Sequence, residues 1–243
     1  MDLDLAVTED RLLGGRVRLL QPRRGYRVAV DAVLLAAAVE ATPAARVLDL
    51  GAGVAAVGLC LAARVAGCRV LGIELQTALV ELAERNAALN GLGDRVRTIV
   101  HDLAWDLPPG LGPFDVVATN PPYLPASVAD PSPDRSKALA TVESSAGLAR
   151  WLAVAGNAAR PDGSLVMIHR ADREAEIAGH LAGLGWGDVT VKRLPPAARV
   201  LVRARRHHGL LHRASPPLVL HGPAVGYTEE AEAVLRHAAP LAF

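Results

Sequence analysis

The sequence predicts an α/β fold, a mostly parallel sheet with helices on both faces. Three observations support it. Short apolar runs alternate with longer Ala/Leu-rich stretches between residues 46 and 205. A glycine-bearing turn, Gly51-Ala52-Gly53, lies where the first run gives way to the first stretch. At 243 residues and 51% hydrophobic, the chain can bury a sizeable core without covalent staples.

The elements follow in order. Residues 12–20 hold Gly14-Gly15 between apolar residues and read as a hairpin, and 28–39 are apolar enough for a covering helix. Residues 46–50 form a buried strand, followed by a helix from about 55 to 65. A second strand at 69–73 leads to a helix over 77–89 that closes at Asn90-Gly91. Further strands lie at 96–100 and 114–118. A helix over 145–159 stops at Arg160-Pro161-Asp162-Gly163, and a strand at 164–169 follows. A helix near 172–184 leads to strands at 188–193 and 199–205, whose short Pro195-Pro196 connection marks an antiparallel pair at one sheet edge. Beyond them, 218–220 read as a strand and 228–237 as a helix with Thr228 as its N-cap. One domain is expected over 1–243: hairpin and covering helix in 1–44, the sheet in 45–206, and an extension in 207–243.

Composition excludes several classes. Cys60 and Cys68 are too few for a disulfide framework or a four-ligand metal site, and their apolar surroundings mark them as buried small hydrophobes of a reduced, cytoplasmic protein. No metal is expected. The longest uncharged apolar run, 50–63, has 14 residues and is too short to span a bilayer. The acidic start, MDLDLAVTED, is no secretory signal, so no membrane partner is expected. Net charge of +1 hides an asymmetry: residues 11–31 carry +5, residues 192–213 carry +7, and the rest of the chain is acidic. Two basic segments on an acidic body are either the footprint of a polyanion or separate solvated faces. Only Lys137 and Lys192 are lysines, so the basic signal is guanidinium, which suits phosphate contacts.

Asp49-Leu50-Gly51-Ala52-Gly53 sits at a strand-to-helix turn, where glycines let a ligand approach the backbone and the helix N-terminus offers free N–H groups. Glu74 follows Gly53 by 21 residues at the end of the second strand, the place and spacing for recognising a ribose diol. A nucleoside-containing cofactor is implied. A dinucleotide fingerprint would want a third glycine at Ala55 or Ala56, or at Gly58 two positions later. Asp102-Leu103 after the third strand provide a carboxylate for an adenine amine and an apolar side chain for its ring. Asp49, Glu74 and Asp102 at three successive strand ends favour S-adenosylmethionine over NAD. After the fourth strand comes Asn120-Pro121-Pro122-Tyr123. An aromatic amine or an amide is a poor nucleophile because its lone pair is delocalised. The Asn120 side-chain oxygen and the Pro121 carbonyl can accept both amine hydrogens, favouring pyramidalisation and freeing the lone pair. The prolines hold that carbonyl rigidly, and Tyr123 can stack on a planar substrate. A nucleobase would have to be flipped out to reach it.

DLGAGVAAVG, GIEL, HDL and NPPY, in this order and spacing, resemble the class I S-adenosylmethionine-dependent methyltransferases that act on amino groups. The segments TEDRLLGGRVRLLQPRRGYRVAVDAVLLAAAV, RVLVRAR and LVLHGPAVGYTEEAEAVL are similar to the bacterial tRNA (adenine-N6)-methyltransferase family of the valine tRNA type, over roughly residues 10–235. The resemblance implies a Rossmann-like, seven-stranded sheet whose last strand is antiparallel. It implies cofactor contacts from Asp49, Gly51, Ala52, Gly53, Glu74, Leu75, Asp102, Leu103 and Asn120, with Asn120 to Tyr123 holding the amine. It also brings Asp31 near the methionine end of the cofactor, although Asp31 reads equally as the N-cap of the helix that follows. One departure is Val54-Ala55-Ala56, where the family usually has Gly or Ser, so donor hydroxyls are missing.

The expected activity is methylation of the N6 amine of adenine in RNA, with tRNA as the expected substrate, by a cytoplasmic protein favoured to be a monomer. Protein glutamine N5- and rRNA guanine-N2-methylation share NPPY. The glutamine reading predicts an N-terminal helical module, for which the first 45 residues are too few. A cofactor-binding protein without transfer activity is the alternative of a different class. Arg23, Arg24, Arg203 and Arg205 are candidate RNA contacts, as are Arg135 and Lys137 in or beside a Pro/Ser/Asp-rich loop at 125–136 that reads as a substrate loop. Trp151 and Trp186 read as core and His169 as structural, while His207-His208 read either as phosphate contacts or as a solvated loop.

Overall fold

A computed structural model describes residues 6–25, 27–123, 146–206, 209, 211–222 and 225–243. Strands β1 (Val7–Leu12) and β2 (Val17–Pro22) form the expected hairpin, closed by a short 3-10 turn with Gly14 in the left-handed region. Helix α1 (Val30–Ala38) is buried on nearly every side, as an Ala/Leu helix with no polar face must be. The central elements are β3 (Arg46–Leu50), α2 (Ala56–Arg64), β4 (Arg69–Glu74), α3 (Thr77–Leu89), β5 (Val96–Val100) and β6 (Phe114–Thr119). After these come α4 (Leu148–Ala158), β7 (Ala159–Arg170), α5 (Glu174–Gly183), β8 (Trp186–Arg193), β9 (Arg199–Arg206), β10 (His212–Ser215) and α6 (Glu229–His237).

The main sheet runs β10-β8-β9-β7-β6-β3-β4-β5. Strand β9 is antiparallel to both its neighbours, and every other pairing in this sheet is parallel. The architecture matches expectation with two corrections. The sheet has eight strands rather than seven, and the antiparallel pair does not end it, because β10 covers the open edge of β8. Strand β10 is largely exposed and is held by backbone pairing and the Arg213–Asp188 ion pair, so its sequence carries no apolar alternation to announce it. Residues 218–220 are not a strand. Leu218 and Leu220 are buried in a leg whose N–H groups donate to the carbonyls of Arg193 (3.0 Å) and Pro195 (2.7 Å). Thr228 caps α6 as expected, its Oγ1 accepting from Ala231 N–H at 3.2 Å. Among the described residues, no helix is long and apolar enough to cross a membrane.

The chain winds from β3 outward to β5, then returns to place β6 on the other side of β3. That reversal opens a crevice outside the carboxyl ends of the strands, where ligands bind in open α/β sheets. Two asparagines four residues apart, Asn86 on α3 and Asn90 at its C-cap, bind the hairpin to this crevice. Fully buried Asn86 accepts from Leu20 N–H (2.7 Å) and donates to the carbonyls of Leu20 (2.8 Å) and Val54 (3.1 Å). Asn90 accepts from Arg18 N–H (2.8 Å) and donates to its carbonyl (2.7 Å). Side-chain amides thus take the place of a neighbouring strand for β2. Asn86→Ala should cost about 2–4 kcal/mol in urea unfolding and Asn90→Ala about 1, because only the first strands buried backbone groups. A larger loss at Asn90 would contradict this docking.

Candidate active site

The cofactor and amine motifs meet in one cavity of about 540 Å³ at the carboxyl ends of β3 to β6. Asp49, Gly51, Ala52, Gly53, Glu74, Leu75, Asp102 and Leu103 line it together with Asn120, Pro121, Pro122 and Tyr123. Gly51 has φ +74°, and a Cβ there would lie 2.6 Å from Cη2 of Trp151, so both backbone and packing require glycine. At Gly53 (φ +55°) a Cβ would meet no protein atom within 4 Å, which leaves room beside that backbone for a ligand. Ala55 precedes α2 at φ +66°, a left-handed conformation that Gly adopts without strain; the departure from the family's loop is therefore carried as backbone strain.

Two buried carboxyl groups dominate the electrostatics. Glu74 is 8% exposed; its Oε2 accepts from Gly53 N–H and its Oε1 from Gln76 N–H, each at 2.9 Å. Burial raises its pKa, and those backbone donors oppose the rise. Asp49 is 2% exposed, and burial, reinforced by nearby Glu74, pushes its carboxyl up to about 8. Among the described residues its Oδ2 has no hydrogen-bond partner. An orphaned buried carboxyl oxygen on a cavity wall fits a cationic donor such as the ammonium of S-adenosylmethionine. Asp102 lines the cavity and also forms its own turn, accepting from Ala104 N–H at 2.9 Å.

Asp31 is not the N-cap of α1. Ala29 holds that position without a side-chain cap, and Asp31 sits in the first turn facing the amine motif. Its Oδ2 accepts from Tyr123 Oη (2.9 Å) and from Arg199 Nε (3.3 Å). The Arg199 guanidinium lies 4.4 Å from the Tyr123 ring centroid, and His169 meets that ring edge-on at 5.2 Å. His169 is fully buried, and burial followed by the Arg173 charge lowers its pKa to about 4, so it packs as a neutral ring.

The basic segments separate. Arg23 and Arg24 are exposed just ahead of Gly25 and Arg27, which line the cavity. Arg203 and Arg205 are not at its mouth. In the antiparallel register Arg199 faces Arg170, the last residue of β7, whereas Arg205 faces Ser164 near the opposite end. Arg203 pairs with Glu40 and stacks over Phe243, and Arg205 lies 4.0 Å from Asp188, so each meets a carboxylate away from the cavity. Arg135, Lys137, His207 and His208 lie outside the described residues. Trp186 is core, as expected, and Trp151 is buried but also walls the cavity against Gly51. Sequence reasoning missed Arg27, Trp151 and Arg199 as site residues; only the positions of Arg27 and Arg199 within charged segments hinted at them.

Comparison with known proteins agrees with this geometry. Residues 27–133 match the methyltransferase small domain family. Over 215 residues, 83% of each chain, the protein is 30% identical to a tRNA1(Val) (adenine(37)-N6)-methyltransferase of Porphyromonas gingivalis. It is 33% identical to a release factor glutamine methyltransferase of Agrobacterium fabrum over 58% of this chain and half of that one. The crystal structure of a predicted O-methyltransferase, protein Atu636 from Agrobacterium tumefaciens, superposes with a TM-score of 0.69 at 26% identity, covering 84% of this chain and 94% of that one. The chain belongs to the class I S-adenosylmethionine-dependent methyltransferase family.

Proposed function

We propose that this protein methylates the exocyclic N6 amine of adenine in tRNA. The observation that carries the reading is the placement of Asn120-Pro121-Pro122-Tyr123 on the same cavity as Asp49 and Glu74. S-adenosylmethionine, when bound, supplies an electrophilic methyl on a sulfonium and leaves as a neutral thioether. Glu74 would take the ribose hydroxyls, Asp49 the ammonium, and Leu75, Asp102 and Leu103 the adenine ring. Asn120 Oδ1 and the Pro121 carbonyl would receive the two amine hydrogens and turn the nitrogen lone pair toward the methyl. The amine sheds its proton to solvent after transfer, so positioning and preorganised dipoles suffice. Exposed Arg23 and Arg24, just ahead of the cavity-lining Gly25, supply phosphate contacts, while Arg27 beside them is held by Asp10 at 2.7 Å. The adenine reading rests on a tRNA-modifying relative matched over most of both chains, whereas the release-factor relative is matched over half its length.

Transfer of labelled methyl from S-adenosylmethionine to total tRNA tests this. Wild type should label adenosine, and Asn120→Ala should lower the rate by about 10²–10³-fold while binding the cofactor within a few-fold. Label absent from RNA but present on glutamine of a release factor would replace this reading with the protein-methylating one. Binding to tRNA should weaken steeply with added salt, and a flat response would count against an RNA partner.

Asp49 gives a pH signature. Unfolded, its carboxyl ionises near its ordinary value of 3.8; folded, only near 8. Between these the folded state holds a proton that the unfolded state lacks, so this residue makes the ligand-free protein less stable as pH rises. Asp49→Asn should therefore raise the melting temperature at pH 8 and flatten its pH dependence, while weakening cofactor binding. Wild type should release protons on binding S-adenosylmethionine at pH 7, read by calorimetry in buffers of different ionisation enthalpy. Equal proton release from the variant would contradict the assignment.

A further inference from the structure

The Tyr123 hydroxyl stands between two acceptors. Its oxygen lies 2.6 Å from Asn120 Oδ1 and 2.9 Å from Asp31 Oδ2. A phenol has one hydrogen, so it donates to one of the two at a time. Donation to Asn120 occupies one lone pair of the oxygen that the amine reading requires, and it fills one of that oxygen's two approach directions. The ring has little room to swing aside, since Arg199 covers one face at 4.4 Å and the His169 ring stands across it at 76° with centroids 5.2 Å apart. What can change without moving heavy atoms is the torsion of the hydroxyl. Asp31 offers the second seat for its hydrogen, and Arg199 Nε, 3.3 Å from the same Oδ2, fixes that carboxylate in place.

We propose that Asp31 and Arg199 are positioning residues for methyl transfer: Asp31 takes over the Tyr123 hydroxyl hydrogen as the incoming amine engages Asn120, and Arg199 holds both the carboxylate and the ring. The proposal rests on Asn120 as the amine acceptor and holds for either an adenine amine or a glutamine amide, since both present an NH2. It gives Asp31 a role through Tyr123 rather than through the cofactor.

The test is a double-mutant cycle on turnover, using whichever acceptor, tRNA or release factor, takes up label from wild type. Asp31→Ala should lower kcat about tenfold, with the Kd for S-adenosylmethionine within twofold of wild type. In a Tyr123→Phe background, whatever its own rate, adding Asp31→Ala should change kcat less than about twofold, because no hydroxyl is left to be reseated. Arg199→Ala should follow Asp31→Ala, and Arg199→Lys should fall between them, since lysine keeps the charge and loses the planar stack. A readout without turnover is the 13Cζ resonance of Tyr123 in the free protein, assigned by its loss in Tyr123→Phe; it should shift in Asp31→Ala. Equal factors in the two backgrounds, a loss of cofactor affinity in Asp31→Ala, or an unmoved resonance would each overturn the proposal while leaving the adenine reading intact. Failure of wild type to methylate either acceptor would overturn both.

Discussion

The hydrogen bond from Gly53 N–H to the Glu74 carboxylate holds together two chain segments on which the rest of the site depends. It ties the loop after β3 to the end of β4 across 21 residues, and a second backbone donor, Gln76 N–H, grips the other oxygen. These bonds satisfy a carboxylate that burial would otherwise penalise. They also fix the loop that carries Gly51 and leads to the strained Ala55. Asp49, one strand over, has no such support at Oδ2, so burial and the neighbouring carboxylate raise its pKa. One carboxyl group is paired and the other is left waiting. That asymmetry stores local instability at the binding site, and a cationic ligand group relieves it.

The charge distribution looks different once placed in space. Many of the charges behind the net +1 are paired locally rather than gathered into a basic face over an acidic body. Along β8 to β10, Arg193 meets Glu174, Arg203 meets Glu40, and Asp188 is shared by Arg205 and Arg213. Those pairs are mostly solvent-exposed and contribute little stability each, but they withdraw the segment from any simple polyanion footprint. Arg199 is the member of that segment on the cavity wall, and it is engaged with Asp31 and Tyr123. The N-terminal segment is the part of the basic signal that leads to the rim.

Much of this was legible in the residues. Apolar runs long enough for buried parallel strands marked β3 to β7, and carboxylates at three successive strand ends marked where a ligand is held. Features that depend on tertiary contact were not. Strand β10 lacks any pattern because it joins an edge through its backbone. Trp151 reads as helix packing in sequence and becomes a cavity wall only because Gly51 passes against its ring. Asn86 looks like an ordinary polar residue on α3 until β2 lies across it. Asp31 and Arg199 are 168 residues apart, and no local periodicity could have paired them across Tyr123.

The claim that ties fold, cavity and amine motif together is that the methyl group ends on adenine in tRNA. Nucleoside mass spectrometry of tRNA from cells with and without this protein tests it most directly. The expected result is N6-methyladenosine that disappears from one tRNA in the deficient cells and returns with the wild-type chain but not with a chain lacking the Asn120 side chain. Unchanged N6-methyladenosine, with methylglutamine lost from a release factor in the same cells, would contradict it.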